Sequence, residues 1–353
     1  MIKIIRTSND ILKYKDEWDS ILEESSTYTP FQEFHYIQSA CKLIEATKQF
    51  SLYIMCVFSD QNKRLIAVLP LVKDKDKCAR FIIDYHTDYC DIITNDFFYN
   101  DIHLYEEISL FLQTDPEIQS IELNNLCSSS CLLSYLRYFL QNSFVYASNG
   151  VTRFIVSYNS CNEIINNIGR LNAKEKHRLK KDIIKKANIK HHQIYANGDE
   201  RGWINVDFLV KYMVENKIRD KDYFDSSMLA FLKELYSKGL LNLIVTTENN
   251  DVLSASLYFP DNKGGVIQWI AFYKKKEYNL LNVWGLVERI WESGGGIFDF
   301  ARGWYTYKIR NFRPQLENLY TFRYAKGYWG QIKNIASLNF YLLKQIAKQI
   351  LRK

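Results

Sequence analysis

The sequence predicts an α+β protein made of two tandem copies of one unit, each a mixed, mostly antiparallel sheet flanked by helices. Three observations carry that reading. Leu52 to Leu71 reads as strand, polar turn, strand (LYIMCVF, SDQNK, RLIAVLPL), and Leu241 to Phe259 repeats the pattern (LNLIVTT, ENND, VLSASLYF). Each hairpin is followed by a third strand-like run, Arg80 to Tyr85 in one copy and Gly265 to Tyr273 in the other. Each copy then continues into a helical pattern and a closing strand, Ile118 to Leu123 and Gly296 to Phe300.

The elements follow in order. Met1 to Arg6 has a short strand pattern and lacks the apolar stretch and cleavage site of a signal peptide. Asp10 is placed to cap a helix running to Glu24, and Phe34 to Thr47 is a second helix. The boundary between copies falls at Asn149-Gly150, and a strand over Val151 to Tyr158 opens the second. Arg170 to Ala187 carries Leu171, Leu179, Ile183 and Ile184 on a narrow apolar stripe. Val206 to Ile218 and Ser227 to Lys238 form a helical pair, the latter stopped by Gly239. Leu280 to Glu292 is amphipathic and ends at Gly294-Gly295-Gly296. The expected division is 1–150, 151–328 and a basic amphipathic C-terminal helix over 329–353, which is placed to dock on the body or lie on a membrane surface.

Composition narrows the class. The chain has 353 residues, 47% hydrophobic and 24% charged, enough for a large core without covalent staples. No apolar run approaches the roughly 18 residues of a membrane-crossing helix; Leu65 to Val72 is the longest and contains Pro70. The seven cysteines are odd in number and none follows Cys161, which reads as reduced, cytoplasmic usage. Cys127 and Cys131 have no histidine beside them, so no metal site is expected. The net charge of +6 is local: Arg170 to Lys190 holds nine basic residues against Glu175 and Asp182. That segment is a solvated helix face, a contact for a phosphorylated ligand, or a nucleic-acid surface; it lacks the interleaved aromatics of a single-strand binder. There is no P-loop, no dinucleotide glycine fingerprint and no nucleophile elbow.

Two clusters bear chemistry. The denser is Phe298 to Phe312, FDFARGWYTYKIRNF, in which a strand ends at Asp299 and Phe300 and Gly303 permits a sharp turn. Tyr307 can donate a proton, Lys308 can pair with phosphate or carboxylate, and Asp299 can orient either; a surface ion pair beside core aromatics explains the same residues equally well. The second is Asp84 to Asp91, DYHTDYCD, with His86 as a base candidate and Tyr89 as a stacking surface, against the simpler reading of a solvated loop.

Three stretches resemble the CelD/BcsL-like branch of the GNAT acyltransferase superfamily, whose members carry two GNAT-like units and which is related to the Fem-type transferases. Thr29 to Tyr36 (TPFQEFHY) is similar to its entry helix. Ala67 to Leu71 with Asp88 to Asp91 is similar to its "PL … DY-x-D" pattern. Phe298 to Gly303 with Tyr307-Lys308 is similar to its "FDF-x-x-G-x-x-x-YK" signature. The resemblance covers Trp18 to Phe322. It implies transfer of an acyl group, from acyl-CoA, to an amine on a sugar or sugar-linked precursor of surface polysaccharide, by direct attack without a covalent intermediate. It implies Asp299, Tyr307 and Lys308 as the catalytic core, with Arg302, Gly303, His86, Asp88, Tyr89 and Asp91 forming the acceptor site. Leu281 and Asn282 fall where the family grips pyrophosphate, and Lys180 and Lys181 are further phosphate contacts. The chain departs from the pattern there, since Tyr278 to Gly285 has no glycine before the helix and Gly285 comes several residues late. A Fem-type transferase using aminoacyl-tRNA and a non-catalytic scaffold at a membrane-associated complex stay open as alternatives. If Lys308 is purely chemical, Lys308→Ala abolishes transfer and leaves the melting temperature unchanged.

Overall fold

The computed structural model describes residues 1–156, 190–260, 265–303, 305, 308, 314–328, 330–332, 335–336, 338–340 and 343. The Arg170 to Ala187 helix, with Lys180 and Lys181, lies outside them, as do Tyr307 and Cys161.

The chain forms two compact units, Met1–Ser148 with Asn318–Lys353, and Asn149–Glu317. The first boundary falls beside the expected one. The second does not: 318–328 was assigned by sequence to the later unit and belongs to the earlier. Strand pairing explains the difference. The last strand, β13 (Gln315–Ala325), runs antiparallel to β6 (Ser120–Cys127), with Leu319 opposite Cys127 and Ala325 opposite Ser120. Arg323 reaches Glu122 at 2.7 Å and the Thr321 hydroxyl donates to Asn124 at 2.7 Å, so side chains fix the same register.

The first unit is a sheet in the order β1-β2-β3-β4-β6-β13, built on β1 (Ile2–Ile5), β2 (Ser51–Phe58), β3 (Leu65–Lys73) and β4 (Cys78–Phe81), with the short β5 (Ile93–Thr94) against β3. Among the described strands of this unit β4 and β6 form the parallel pair, and their ladder covers Cys78 to Arg80 opposite Ser120 to Glu122. Helices α1 (Lys15–Glu23) and α2 (Phe34–Thr47), the one-turn α3 (Asp96–Tyr99), α4 (Ile102–Thr114) and α5 (Cys131–Phe139) complete it. In α4, Leu104, Tyr105, Ile108 and Leu112 are buried at helical spacing and Asp101 caps the first turn, which is why that stretch is helical and faces the core. They pack with Leu69, Ile121 and Leu123 of the sheet in one large cluster.

The second unit repeats the plan. Its sheet order is β7-β12-β11-β10-β9-β8, from β7 (Phe144–Val156), β8 (Lys190–Tyr195), β9 (Asn242–Glu248), β10 (Asp251–Pro260), β11 (Val266–Tyr273) and β12 (Gly296–Arg302). The expected strand 151–158 starts earlier, at Phe144. Helices α6 (Glu200–Glu215), α7 (Ser226–Ser237) and α8 (Asn279–Glu292) flank it. Among its described strands β11 and β12 form the parallel pair, and their ladder covers Val266 and Ile267 opposite Phe298 and Asp299. Beyond those two rungs the strands part. Both units therefore carry a short parallel pair whose strands are joined through a helix, and in the second unit both strands run on past the last rung, leaving a wedge.

Candidate functional site

Around the wedge of the second unit stand Asp299, Arg302, Gly303, Lys308, Leu281 and Asn282, six of the thirteen predicted site residues. At its β12 end the ladder with β7 is interrupted between Asp299 and Arg302, a β-bulge, and Ala301 sits at φ 55°. A non-glycine residue there is strained. Three contacts hold it. The Ala301 N–H donates to Asp299 Oδ1 at 2.7 Å. Arg153 on β7 donates to Asp299 Oδ2 at 2.9 Å and to Glu317 at 2.9 Å. Lys308 Nζ donates to the carbonyls of Phe300 at 2.7 Å and Arg302 at 3.1 Å, over the Phe300 and Tyr305 rings. Asp299 and Lys308 are each only 4% exposed. Gly303, at φ 104°, donates its N–H to the Gly150 carbonyl, and a Cβ there would run into the Tyr305 ring. So Asp299, Lys308, Arg302 and Gly303 do gather at one strand end. Within it, Asp299 and Lys308 hold the backbone shape, because protein groups engage the charged atoms of both.

The other flank of the wedge is the start of α8. Beneath its first turn lies a buried polar seam that the sequence did not advertise. Asn282 Oδ1 accepts from Thr246 at 2.7 Å and Ser254 at 3.0 Å, and its Nδ2 donates to Ser256 at 3.0 Å. Gln268 Nε2 donates to Ser256 at 3.0 Å and to Asn279 Oδ1 at 3.1 Å. His192 Nδ1 lies 3.0 Å from the Thr246 hydroxyl. Thr246, Ser254, Ser256, Gln268 and Asn282 are all buried. Each satisfied bond contributes about 1 kcal/mol, and an orphaned member would cost more. The seam ties the helix to β9, β10 and β11 through directional bonds. The available signal was the alternation of small polar residues, Ser254 and Ser256, inside an otherwise apolar strand.

One sequence expectation changes as a result. The Asn282 side chain is fully buried in the seam, so it positions the helix and does not itself reach a ligand; Leu281 is half-buried. Gly285 is helical, and its role is close packing: a Cβ there would lie 2.8 Å from Ile244 Cδ1 and 2.9 Å from His192 Cγ. The first turn of α8 has no side-chain cap, as in α1 and α2. A single 3-10 turn, Lys276–Tyr278, leads directly into it, and the helix start carries the positive end of the helix dipole. Lys275 and Lys276, both exposed, stand just before it. The arrangement suits an anionic, phosphate-bearing group without requiring a glycine loop.

Tyr258 is buried on β10, and burial pushes its hydroxyl above the usual tyrosine range.

The acidic loop belongs to the first unit. Asp88 and Tyr89 are buried and His86 is half-buried. The loop is stitched down: Asn125 Nδ2 donates to the Asp84 and Thr87 carbonyls at 2.7 and 2.8 Å, Asn124 donates to the Asp84 carboxylate at 2.6 Å, and the Thr87 and Tyr36 hydroxyls are 2.8 Å apart. Asp91 accepts from its neighbour's N–H at 2.8 Å, from Ser130 at 3.0 Å and from Tyr99 at 3.2 Å. Burial outweighs those bonds and pushes its carboxyl up to about 6. Ser130 caps α5, so Asp91 extends that cap. Cys131 Sγ donates to Asn100, away from Cys127. Among the described residues no group of three histidine, cysteine or acidic side chains is placed to hold a metal ion.

The fold is a two-unit GNAT-like one: a mixed sheet flanked by helices, duplicated. No family model matches the chain, and no curated protein sequence does. Solved structures do match. The C-terminal domain of a lysylphosphatidylglycerol synthetase from Agrobacterium fabrum aligns at TM-score 0.58 and 8% identity, over 96% of this chain and 97% of that one. L-PGS from Bacillus licheniformis aligns at 0.59 and 10% identity, over 89% and 92%. A tandem GNAT protein from the clavulanic acid biosynthesis pathway aligns at 0.51 and 8% identity, over 93% and 99%. At such identities the likeness concerns the fold. The narrower resemblance to the CelD/BcsL-like branch stands on its three motifs alone.

Proposed function

We propose that the chain is an N-acyltransferase whose second unit holds an acyl-CoA donor at the β11–β12 wedge and delivers the acyl group to an amine of a sugar or sugar-linked precursor. The observation that carries this is the α8 entrance. An uncapped helix start, fixed from beneath by the polar seam and preceded by Lys275 and Lys276, faces the place where two parallel strands part. The pyrophosphate of CoA would lie against the first-turn N–H groups and the two lysines. The thioester would extend along the strand edge that the missing ladder leaves open. A neutral amine attacks the acyl carbon, and the C–N bond forms as the C–S bond breaks. Thiolate leaves, and the surplus proton passes to water. Main-chain N–H groups steady the oxyanion, and held geometry supplies much of the rate. Asp299 and Lys308 act as positioning residues that keep the β12 edge in shape. A surface-polysaccharide acceptor is supported by the motif resemblance.

A second reading has its own support. One structural neighbour is named as the C-terminal domain of a lysylphosphatidylglycerol synthetase, and another as L-PGS. A lysyl ester of a lipid requires an activated lysyl group, and the basic segment 170–190 suits a tRNA carrier. Calorimetric titration separates the two. Saturable micromolar CoA binding, weakened about tenfold or more by Lys275→Glu with Lys276→Glu, supports acyl-CoA. No binding of CoA at millimolar concentration, with salt-dependent binding of charged tRNA, replaces it with the second reading.

A further inference from the structure

The function just proposed leaves the C-terminal segment unused, and that segment has an exposed apolar face. Among its described residues, which are helical, Tyr328, Ile332, Ile335, Phe340 and Leu343 are 72%, 38%, 46%, 70% and 64% exposed. Tyr328, Ile332 and Ile335 are spaced i, i+4 and i+7, and Leu343 returns to the same side two turns later. Sequence extends the stripe through Ile346 and Ile350. A helix that docked on its own body would bury this side. The charge is as lopsided as the apolarity. From Gln331 to Lys353 the chain carries Lys333, Lys344, Lys348, Arg352 and Lys353 and no acidic residue. A protein partner could cover apolar side chains, but five cations with no anion among them match a surface that is both apolar beneath and anionic above. No described helix is long and apolar enough to cross a membrane, so contact from one side is the mode that fits.

We infer that the C-terminal helix binds an anionic lipid surface, laying the face of Tyr328, Ile332, Ile335 and Leu343 into the headgroup boundary while its lysines and arginine meet lipid phosphates. This is independent of which donor the second unit takes. The experiment is flotation of the full-length protein with vesicles of phosphatidylcholine containing about one-quarter phosphatidylglycerol, and with phosphatidylcholine alone, in low and high salt. Wild type is expected to float with the anionic vesicles only, and less so in high salt. Ile332→Glu with Ile335→Glu should cut that binding at least tenfold. Lys344→Glu with Lys348→Glu should do the same, since each lost cation near such a surface costs roughly fivefold. Ile332 and Ile335 are exposed, and an unchanged melting curve confirms that both variants are folded. Equal binding to both vesicle types, or unchanged binding of either variant, overturns the inference. So does a wild-type dimer that becomes monomeric in the Ile332/Ile335 variant without any vesicle binding, because a second copy would then cover the face.

Discussion

Replacing Lys308 by methionine tests whether this residue holds the β12 end or serves chemistry alone. Its ammonium donates to two carbonyls, at 2.7 and 3.1 Å, on either side of the strained Ala301, and it is 4% exposed. Methionine keeps the length and the apolar stem but removes the donors. A bond from a charged donor contributes about 1.5–3 kcal/mol, and the cost of burying an ammonium offsets part of it. Taking the lower figure for each bond gives a loss of about 3 kcal/mol. In a unit of this size 1 kcal/mol moves the melting temperature by about 2–4 °C, so a fall of roughly 6–12 °C is expected. Thermal unfolding followed by circular dichroism reads the shift. Hydrogen exchange should show faster loss of protection between Phe298 and Gly303. A variant that melts within about 1 °C of wild type, with exchange unchanged, refutes the holding role and restores the sequence-based expectation that Lys308 serves transfer without supporting the fold.

Two further outcomes follow from buried groups elsewhere. Desolvation pushes the carboxyl of the half-buried Asp91 up to about 6 in the folded protein, above its ordinary 3.8. Its stabilising contribution is present at low pH and is lost as pH rises through about 6, where the folded state must carry a desolvated charge. Asp91→Asn should therefore gain about 1–3 kcal/mol at pH 8 and almost nothing near pH 4, read from urea midpoints; an equal loss at both would mean that the carboxylate is needed as the cap of α5. Gly285→Ala should lower the melting temperature, despite the roughly 1 kcal/mol that alanine adds to a helix interior, because its Cβ meets buried Ile244 and the bonded His192. A higher melting temperature would show that α8 can move outward freely.

Much of this architecture is written in local sequence. The two meanders repeat mostly apolar runs of seven to ten residues, and β2, β3, β9 and β10 appear where those runs end in polar turns. Helix α2 spans the predicted Phe34 to Thr47 because Ile37, Ala40, Cys41 and Ile44 return to one face. Such signals depend on neighbours within a turn or a hairpin, which is why they can be read without the fold. The FDFARG segment was legible as a special place for the same reason: glycine after a strand end is a local mark.

What the tertiary structure decided depends on partners far along the chain. Strand β13 pairs with β6 across nearly two hundred residues, so the return of 318–325 to the first unit could not be seen in either segment alone. Lys308, Asp299 and Asn282 looked like free functional groups in the sequence. Each is a charged or polar atom whose role is set by what stands within 3.1 Å of it: two carbonyls, an arginine with a strained N–H, and three strand hydroxyls. Residue type supplies the hydrogen-bonding capacity; only the folded neighbourhood determines whether that capacity is left for a ligand or consumed in holding the site.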